Sequence, residues 1–221
     1  MKKALFLASS IAFLAACNNS SKGDKAETTD KQEVSATTGA TSYAVDSTAT
    51  ITWVGSKPTG KHTGIFKLQD GNLLVKDNAL AGGVFTINVG SLTNQDMASD
   101  PENKGKLEGH LKSPDFFDVA KYPTAKFEIT SVEPYVADST NKSLLKDATH
   151  TIKGNLTLKD STKNISFPAK VVIDAQSASA TADFNIDRTL WGMNYKGPGN
   201  PQDWFISKEV NIKLAITATK K

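Results

Sequence analysis

From residue 43 to the C-terminus, apolar side chains recur at every second position in segment after segment. That period constrains the fold more than any other feature, because a strand puts alternate residues on opposite faces and leaves one face to be buried. Ile51 and Trp53 alternate with Thr50 and Thr52, and Gly64, Phe66 and Leu68 with Ile65 and Lys67. Asp70-Gly71 then reads as a tight hairpin turn, with Leu73 and Val75 on the return strand. Phe85, Ile87 and Val89 form the next face, behind a Gly82-Gly83 pair that permits a bulge or sharp bend. The same logic covers Phe127 and Ile129; Ile152, Leu156 and Leu158; and Ile165, Phe167, Ala169, Val171 and Ile173. It closes with Ala180, Ala182, Phe184 and Ile186, then Val210, Ile212, Leu214 and Ile216.

One stretch breaks the period. Asp100 can cap a helix, Pro101 suits its first position, and Leu107 and Leu111 stand four apart on one face. The spacing predicts a short helix over residues 100–113, stopped by Pro114, followed by an ordered loop over residues 115–123 with Phe116 and Phe117 adjacent. About eight or more strands joined largely by hairpins, with one helical insertion, fit an antiparallel β-barrel whose closure removes exposed edges. A sandwich has the same periodicity, so the pattern alone leaves both open.

The N-terminus carries a different signal. Met1-Lys2-Lys3 is a positive n-region, residues 4–16 are largely apolar, and Leu14-Ala15-Ala16-Cys17 ends in the only cysteine of the chain. This pattern predicts a lipoprotein signal peptide over residues 1–16 and lipidation of Cys17. The apolar stretch is shorter than the roughly 20 residues a spanning helix needs. Several acyl chains on Cys17 would anchor the protein stably, each buried methylene adding about 0.8 kcal/mol. Residues 17–41 read as the lipidated cysteine and a flexible tether: residues 18–40 contain no aromatic side chain and cannot offset the entropy of ordering. A flexible chain of that length spans about 25 to 30 Å on average. Residues 42–221 then form one barrel domain with no disulfide available to it. The implied location is the bacterial cell envelope, with an outer-membrane site facing the periplasm, since Asn18 is not an inner-membrane retention charge.

Formal net charge is +3, and loss of Lys2 and Lys3 with the signal leaves 24 basic against 23 acidic side chains, or +1. That balance supplies no electrostatic footprint for nucleic acid. There is no Gly-rich phosphate loop, no Gly-x-Ser-x-Gly elbow and no His-Glu-x-x-His zinc helix. His62, His110 and His150 lie apart in sequence without ligand spacing, so no metal site and no cofactor are expected. His110 with Asp115 and Asp118 is the best catalytic constellation, an imidazole beside carboxylates, but a role in satisfying the helix end is the simpler reading. Arg188, Trp191 and Tyr195 could orient a headgroup, or Arg188 could stack on Trp191 and fix the last long loop; the structural role is preferred. Phe116 and Phe117 read as a plug that packs the helix onto the barrel.

Three blocks carry a family resemblance. His110-Leu111-Lys112-Ser113, Asp115-Phe116-Phe117-Asp118 and Tyr122-Pro123-Thr124-Ala125-Lys126-Phe127 resemble the centre of the YceI-like domain, a bacterial envelope family associated with lipids and polyisoprenoids. Lys153-Gly154-Asn155-Leu156-Thr157-Leu158 with Thr162-Lys163 is similar to the family's later hairpin. Phe184-Asn185-Ile186-Asp187-Arg188 with Trp191-Gly192-Met193 is similar to its closing segment. Many relatives have a His-Ser pair after the opening aspartate, whereas Asp46 is followed here by Ser47-Thr48-Ala49; His62 does fit the family's later histidine.

The resemblance implies an extended lipocalin-like barrel, and a barrel of about eight strands can hold one small ligand. Inward apolar residues could equally fill such a barrel; the resemblance favours a cavity. The expected ligand-binding residues are Trp53, Phe66, Leu68, Phe85, Phe127, Ile129, Leu156, Phe167, Phe184, Ile212 and Leu214. The expected partner is a long-chain isoprenoid, an isoprenoid quinone or a fatty acyl lipid, bound without catalysis, with the membrane as a second partner through acylated Cys17. The alternatives are a calycin-like small-molecule isomerase or hydrolase around His110 and Asp115, and a ligand-free interaction module.

Overall fold

A computed structural model describes residues 22–46, 48–137, 142–197 and 206–220. The segment read as a signal peptide, and Cys17 with it, lies outside the described residues. The chain runs β1 (Asp24–Lys25), β2 (Glu27–Asp30), β3 (Thr41–Val45), β4 (Thr50–Lys57), β5 (Gly60–Lys76), β6 (Ala79–Asn94), α1 (Pro101–Lys112), β7 (Thr124–Pro134), β8 (His150–Leu158), β9 (Ser161–Ile173), β10 (Ser177–Asp187) and β11 (Glu209–Lys220). A 3-10 turn, Arg188–Trp191, follows β10.

The strands from β5 to β11 pair antiparallel with their neighbours in sequence, and β9 to β10 and β10 to β11 continue the wall around. Closure comes from β3 and β4, each of which bridges β11 and β5. β4 does so at Ile51–Gly55 against Val210–Leu214, and β3 at Tyr43–Val45 against Ala218–Lys220, so the two share one place in an eight-stranded closed barrel. Alternation explains the closure: Phe66, Phe85, Ile129, Phe167, Phe184 and Ile216 all turn inward and are buried.

One turn comes out differently from the sequence reading. Asp70-Gly71 is not a hairpin, because β5 runs unbroken from Gly60 to Lys76. Gly71 lies beside a register shift between Leu68 and Asp70, where a Cβ would approach the Phe85 ring to 2.9 Å, so the glycine serves a close approach in a bulged strand. The chain reverses at Asp77-Asn78, both left-handed at φ 50° and 59°, the conformation a two-residue primed turn demands. The helix matches expectation: Asp100 accepts the Asn103 amide at 3.2 Å, and the extended backbone of Ser113 ends it before Pro114.

The tether reading is corrected over residues 24–32. β9 and β10 pair only from Ile173↔Ala178 to Lys170↔Thr181, and above that point they part. The N-terminal segment fills the gap: β1 pairs parallel with Phe184–Asn185 of β10, Ala26 donates its amide to Asn185 O at 2.9 Å, and β2 pairs antiparallel with Lys163–Ser166 of β9. Gln32 and Asn155 then exchange two hydrogen bonds, at 3.0 and 2.7 Å. The order of this strap comes from backbone pairing and from polar groups waiting on the barrel's outer face, where Asn155, Asn164, Asn185 and Asn211 are all buried. Apolar content, on which the disorder argument rested, supplies only Ala26.

Candidate functional site

The inward faces enclose a cavity of about 600 Å³. Every expected ligand-binding residue, from Trp53 through Leu214, lies on its wall. Phe85, Phe127, Phe167 and Phe184 form a chain of rings across β6, β7, β9 and β10, with centroids 6.3, 5.9 and 4.0 Å apart and the last pair stacked. Ile51, Phe127, Leu156, Ile212 and Leu214 point inward yet are only partly buried. In a closed barrel an inward side chain that keeps accessible surface must face internal space, so the interior is a cavity and not a filled core.

Two glycines explain why large aromatics leave that space open. Trp53 is paired with Gly64, and a Cβ on that glycine would lie 2.4 Å from Trp53 Cζ2. The Phe127 ring likewise lies against Gly154. Each ring lies flat along the wall where a larger neighbour would tip it into the lumen.

One end of the barrel carries the β4–β5 and β8–β9 hairpins, α1 and the segment after β10; this is the mouth. Leu107 and Leu111 of α1 border the cavity, and no residue of α1 is fully buried. The helix is held by Glu108, which accepts the Asn94 amide at 2.7 Å. Asn94, fully buried, donates through Nδ2 to Asp96 at 2.7 Å and accepts the Met97 amide at 2.9 Å. Asp96 also accepts from the Thr63 amide at 2.6 Å and pairs with His62 Nδ1 at 2.9 Å. Burial pushes the Asp96 carboxyl up, but the donors from Thr63, His62 and Asn94 outweigh it and hold the group below the ordinary aspartate range.

Phe116 is buried as the plug the sequence suggested, with His110 and Tyr195 edge-on or tilted against it at 5.2 and 5.5 Å. Phe117 goes further: it meets Phe66 edge-to-face at 5.4 Å and lines the cavity. Arg188 is buried and donates to the carbonyls of Ser207 and Tyr195, each at 3.0 Å, and to that of Met193. It ties the last long loop through these carbonyls, with its guanidinium 5.8 Å from the Phe116 ring, whereas the sequence reading paired it with Trp191. Trp191 donates to Leu156 O at 3.0 Å.

His110 Nε2 and Asp115 Oδ2 are 3.0 Å apart in a largely exposed pair. Asp118 takes a left-handed backbone at φ 48°, and its carbonyl accepts the Lys121 and Tyr122 amides at 2.9 and 2.8 Å. His62 and His110, distant in sequence, both reach the mouth, while His150 bonds Thr149 Oγ1 at 2.8 Å on β8. Among the described residues, no group of three or more His, Cys, Asp or Glu is placed to hold a metal ion. Lys57, Ser207 and Lys196 join the mouth from segments that no local pattern marks.

Comparison with known proteins places this geometry among relatives. The sequence profile of the YceI-like domain matches residues 30–218. UPF0312 proteins of two Pseudomonas putida strains are 36% identical over 123 residues, covering 54% of this chain and 56% of theirs. A UPF0312 protein of Azotobacter vinelandii is 38% identical over 79 residues, 36% of each chain. The chain spans about half the length, or less, of these curated relatives. Burkholderia cenocepacia BcnA shares the fold at a TM-score of 0.60 and 19% identity, over 77% of this chain and 96% of that one. A polyisoprenoid binding domain from Saccharophagus degradans, implicated in plant cell wall breakdown, does so at 0.55 and 14%, over 81% and 98%.

Proposed function

The chain belongs to the YceI-like domain family, and from that membership we propose that it sequesters or carries one long apolar molecule inside its barrel without changing it chemically. The candidate classes are a polyisoprenoid, an isoprenoid quinone and a fatty acyl lipid. The observation that carries the reading is the 600 Å³ cavity walled by the phenylalanine chain and by partly buried aliphatic side chains. That volume lies within the range of about 300 to 1,000 Å³ typical of small-molecule sites. An apolar occupant displaces water from that wall. Ten methylenes at about 0.8 kcal/mol each supply roughly 8 kcal/mol, comparable with micromolar affinity before ordering costs. The polyisoprenoid-binding domain of the same fold from Saccharophagus degradans supports the class of ligand.

The signal-like N-terminus supports an envelope lipoprotein, acylated at Cys17 and held at the outer membrane facing the periplasm. Mass spectrometry of lipid extracted from the purified chain tests the binding role directly, and recovery of no stoichiometric apolar molecule from repeated preparations overturns it. A second reading, an isomerase or hydrolase, is favoured by one observation: His110, at 3.0 Å from Asp115, borders the cavity. Asp115→Asn separates the two, since a carrier retains its lipid in that variant whereas an enzyme loses turnover.

A further inference from the structure

Resting on the lipid-binding reading above, the structure assigns the cavity's occupant an anionic head, a carboxylate or a phosphate, held at the mouth between Lys57 and Lys196. The cavity wall has no aspartate and no glutamate among the described residues. Its ionisable side chains are Lys57, His62, His110, Arg188, Tyr195 and Lys196, so every group there that can be cationic near neutral pH belongs to one end. The rest of the wall is almost wholly apolar.

This one-sided distribution is not a reflection of overall charge, since the chain carries 26 basic against 23 acidic side chains. Among the described residues, carboxylates at this end stand outside the cavity wall. Asp96 is engaged by Thr63, Asn94 and His62, and Asp115 pairs with His110. They offset the histidines without entering the cavity, and the Arg188 guanidinium is held by the carbonyls of Met193, Tyr195 and Ser207, which leaves the two lysine ammonium groups as the charges a ligand meets at the rim. Lys57 ends β4, and Lys196 lies 5.6 Å from the Tyr195 ring on the segment after β10.

A neutral hydrocarbon cannot use those ammonium groups. An amphiphile with an acidic head does: its tail displaces water from the apolar wall, and its oxygens accept charge-assisted hydrogen bonds at the rim.

The test compares matched tails with and without the charge. Binding of palmitate against hexadecanol, and of geranylgeranyl monophosphate against geranylgeraniol, is measured by calorimetry on the full chain and on Lys57→Gln/Lys196→Gln. At least one acid should bind about tenfold tighter than its alcohol, the worth of one charged hydrogen bond. The double variant should collapse that ratio towards unity, and whichever acid shows the larger ratio identifies the head as carboxylate or phosphate. Equal binding of acids and alcohols, or a ratio the variant leaves unchanged, overturns the anionic head and leaves the lipid-binding role standing. Binding of none of the four overturns both.

Discussion

The ring of Phe127 lies against Gly154 so closely that a Cβ on the glycine would sit 2.3 Å from Phe127 Cζ. The glycine therefore fixes where the aromatic ring goes, and with it how much of the lumen stays open. Gly154→Ala is expected to drive the ring inward, costing about 1 to 3 kcal/mol of stability as an overpacked site does. Denaturant titration reads the first effect and lipid stoichiometry the second; unchanged lipid capacity would show that the ring finds room elsewhere.

Two phenylalanines of the same chain of rings should respond differently to Trp. Phe127 is only partly buried and faces the cavity, so Phe127→Trp should lower lipid affinity more than stability. Phe167 is 3% exposed and stacked on Phe184 at 4.0 Å, so Phe167→Trp should cost about 1 to 3 kcal/mol of stability. Equal effects of the two on lipid retention would contradict a lumen open on the Phe127 side.

The strap is held by backbone pairing around Ala26, which is 5% exposed. Ala26→Asp puts an unpaired charge there, and such a charge costs several kcal/mol when buried. The segment should release before the barrel unfolds, so hydrogen exchange is expected to rise at Lys163–Ser166 and Phe184–Asn185 while β5 and β6 stay protected. Uniform exchange across all strands would show that strap and barrel are one cooperative unit.

Acid should weaken the fold through Asp96 and Asp187. Burial raises the Asp187 carboxyl, but hydrogen bonds from Thr189 and Lys208 outweigh it and leave it, like Asp96, below the ordinary value of 3.8. A depressed carboxyl adds stability that is fully present above its unfolded value and is lost as pH falls through the lower folded one. Urea midpoints should hold from pH 7 to about 5 and fall below about 4, and Asp187→Asn should flatten that fall. An unaltered acid slope in Asp187→Asn would remove Asp187 from the account.

Cys17→Ser is expected to move the protein from the membrane to the soluble fraction with its thermal midpoint unchanged. Wild-type protein that fractionates as soluble and unacylated would end the lipoprotein proposal.

Much of the barrel was legible because period two is local: each inward residue from Trp53 to Leu214 announces itself two positions from the next. The helix was legible for the same reason, its cap and stop being the adjacent Asp100-Pro101 and Ser113-Pro114. What was not legible depends on distant pairing. Asp70-Gly71 has turn chemistry, but cross-strand contact with Phe85 decides its role. Asn155, Asn164, Asn185 and Asn211 occupy outward positions that read as solvent-facing until the strap covers them. The mouth gathers Lys57, His62, His110 and Lys196 from β4, β5, α1 and the segment after β10, and no spacing rule joins such positions.

The strap also shortens the leash. If Cys17 is acylated as proposed, only seven residues separate the anchor from Asp24, where wall pairing begins. Seven residues reach at most about 25 Å when fully extended and about 15 Å on average. The full stretch to β3 would instead average close to 30 Å. One segment closes the seam between β9 and β10 and, given that anchor, would also set the standing height of the barrel above the lipid. It could not serve both at full extent: an anchored barrel rising from the lipid would first have to give up a piece of its own wall.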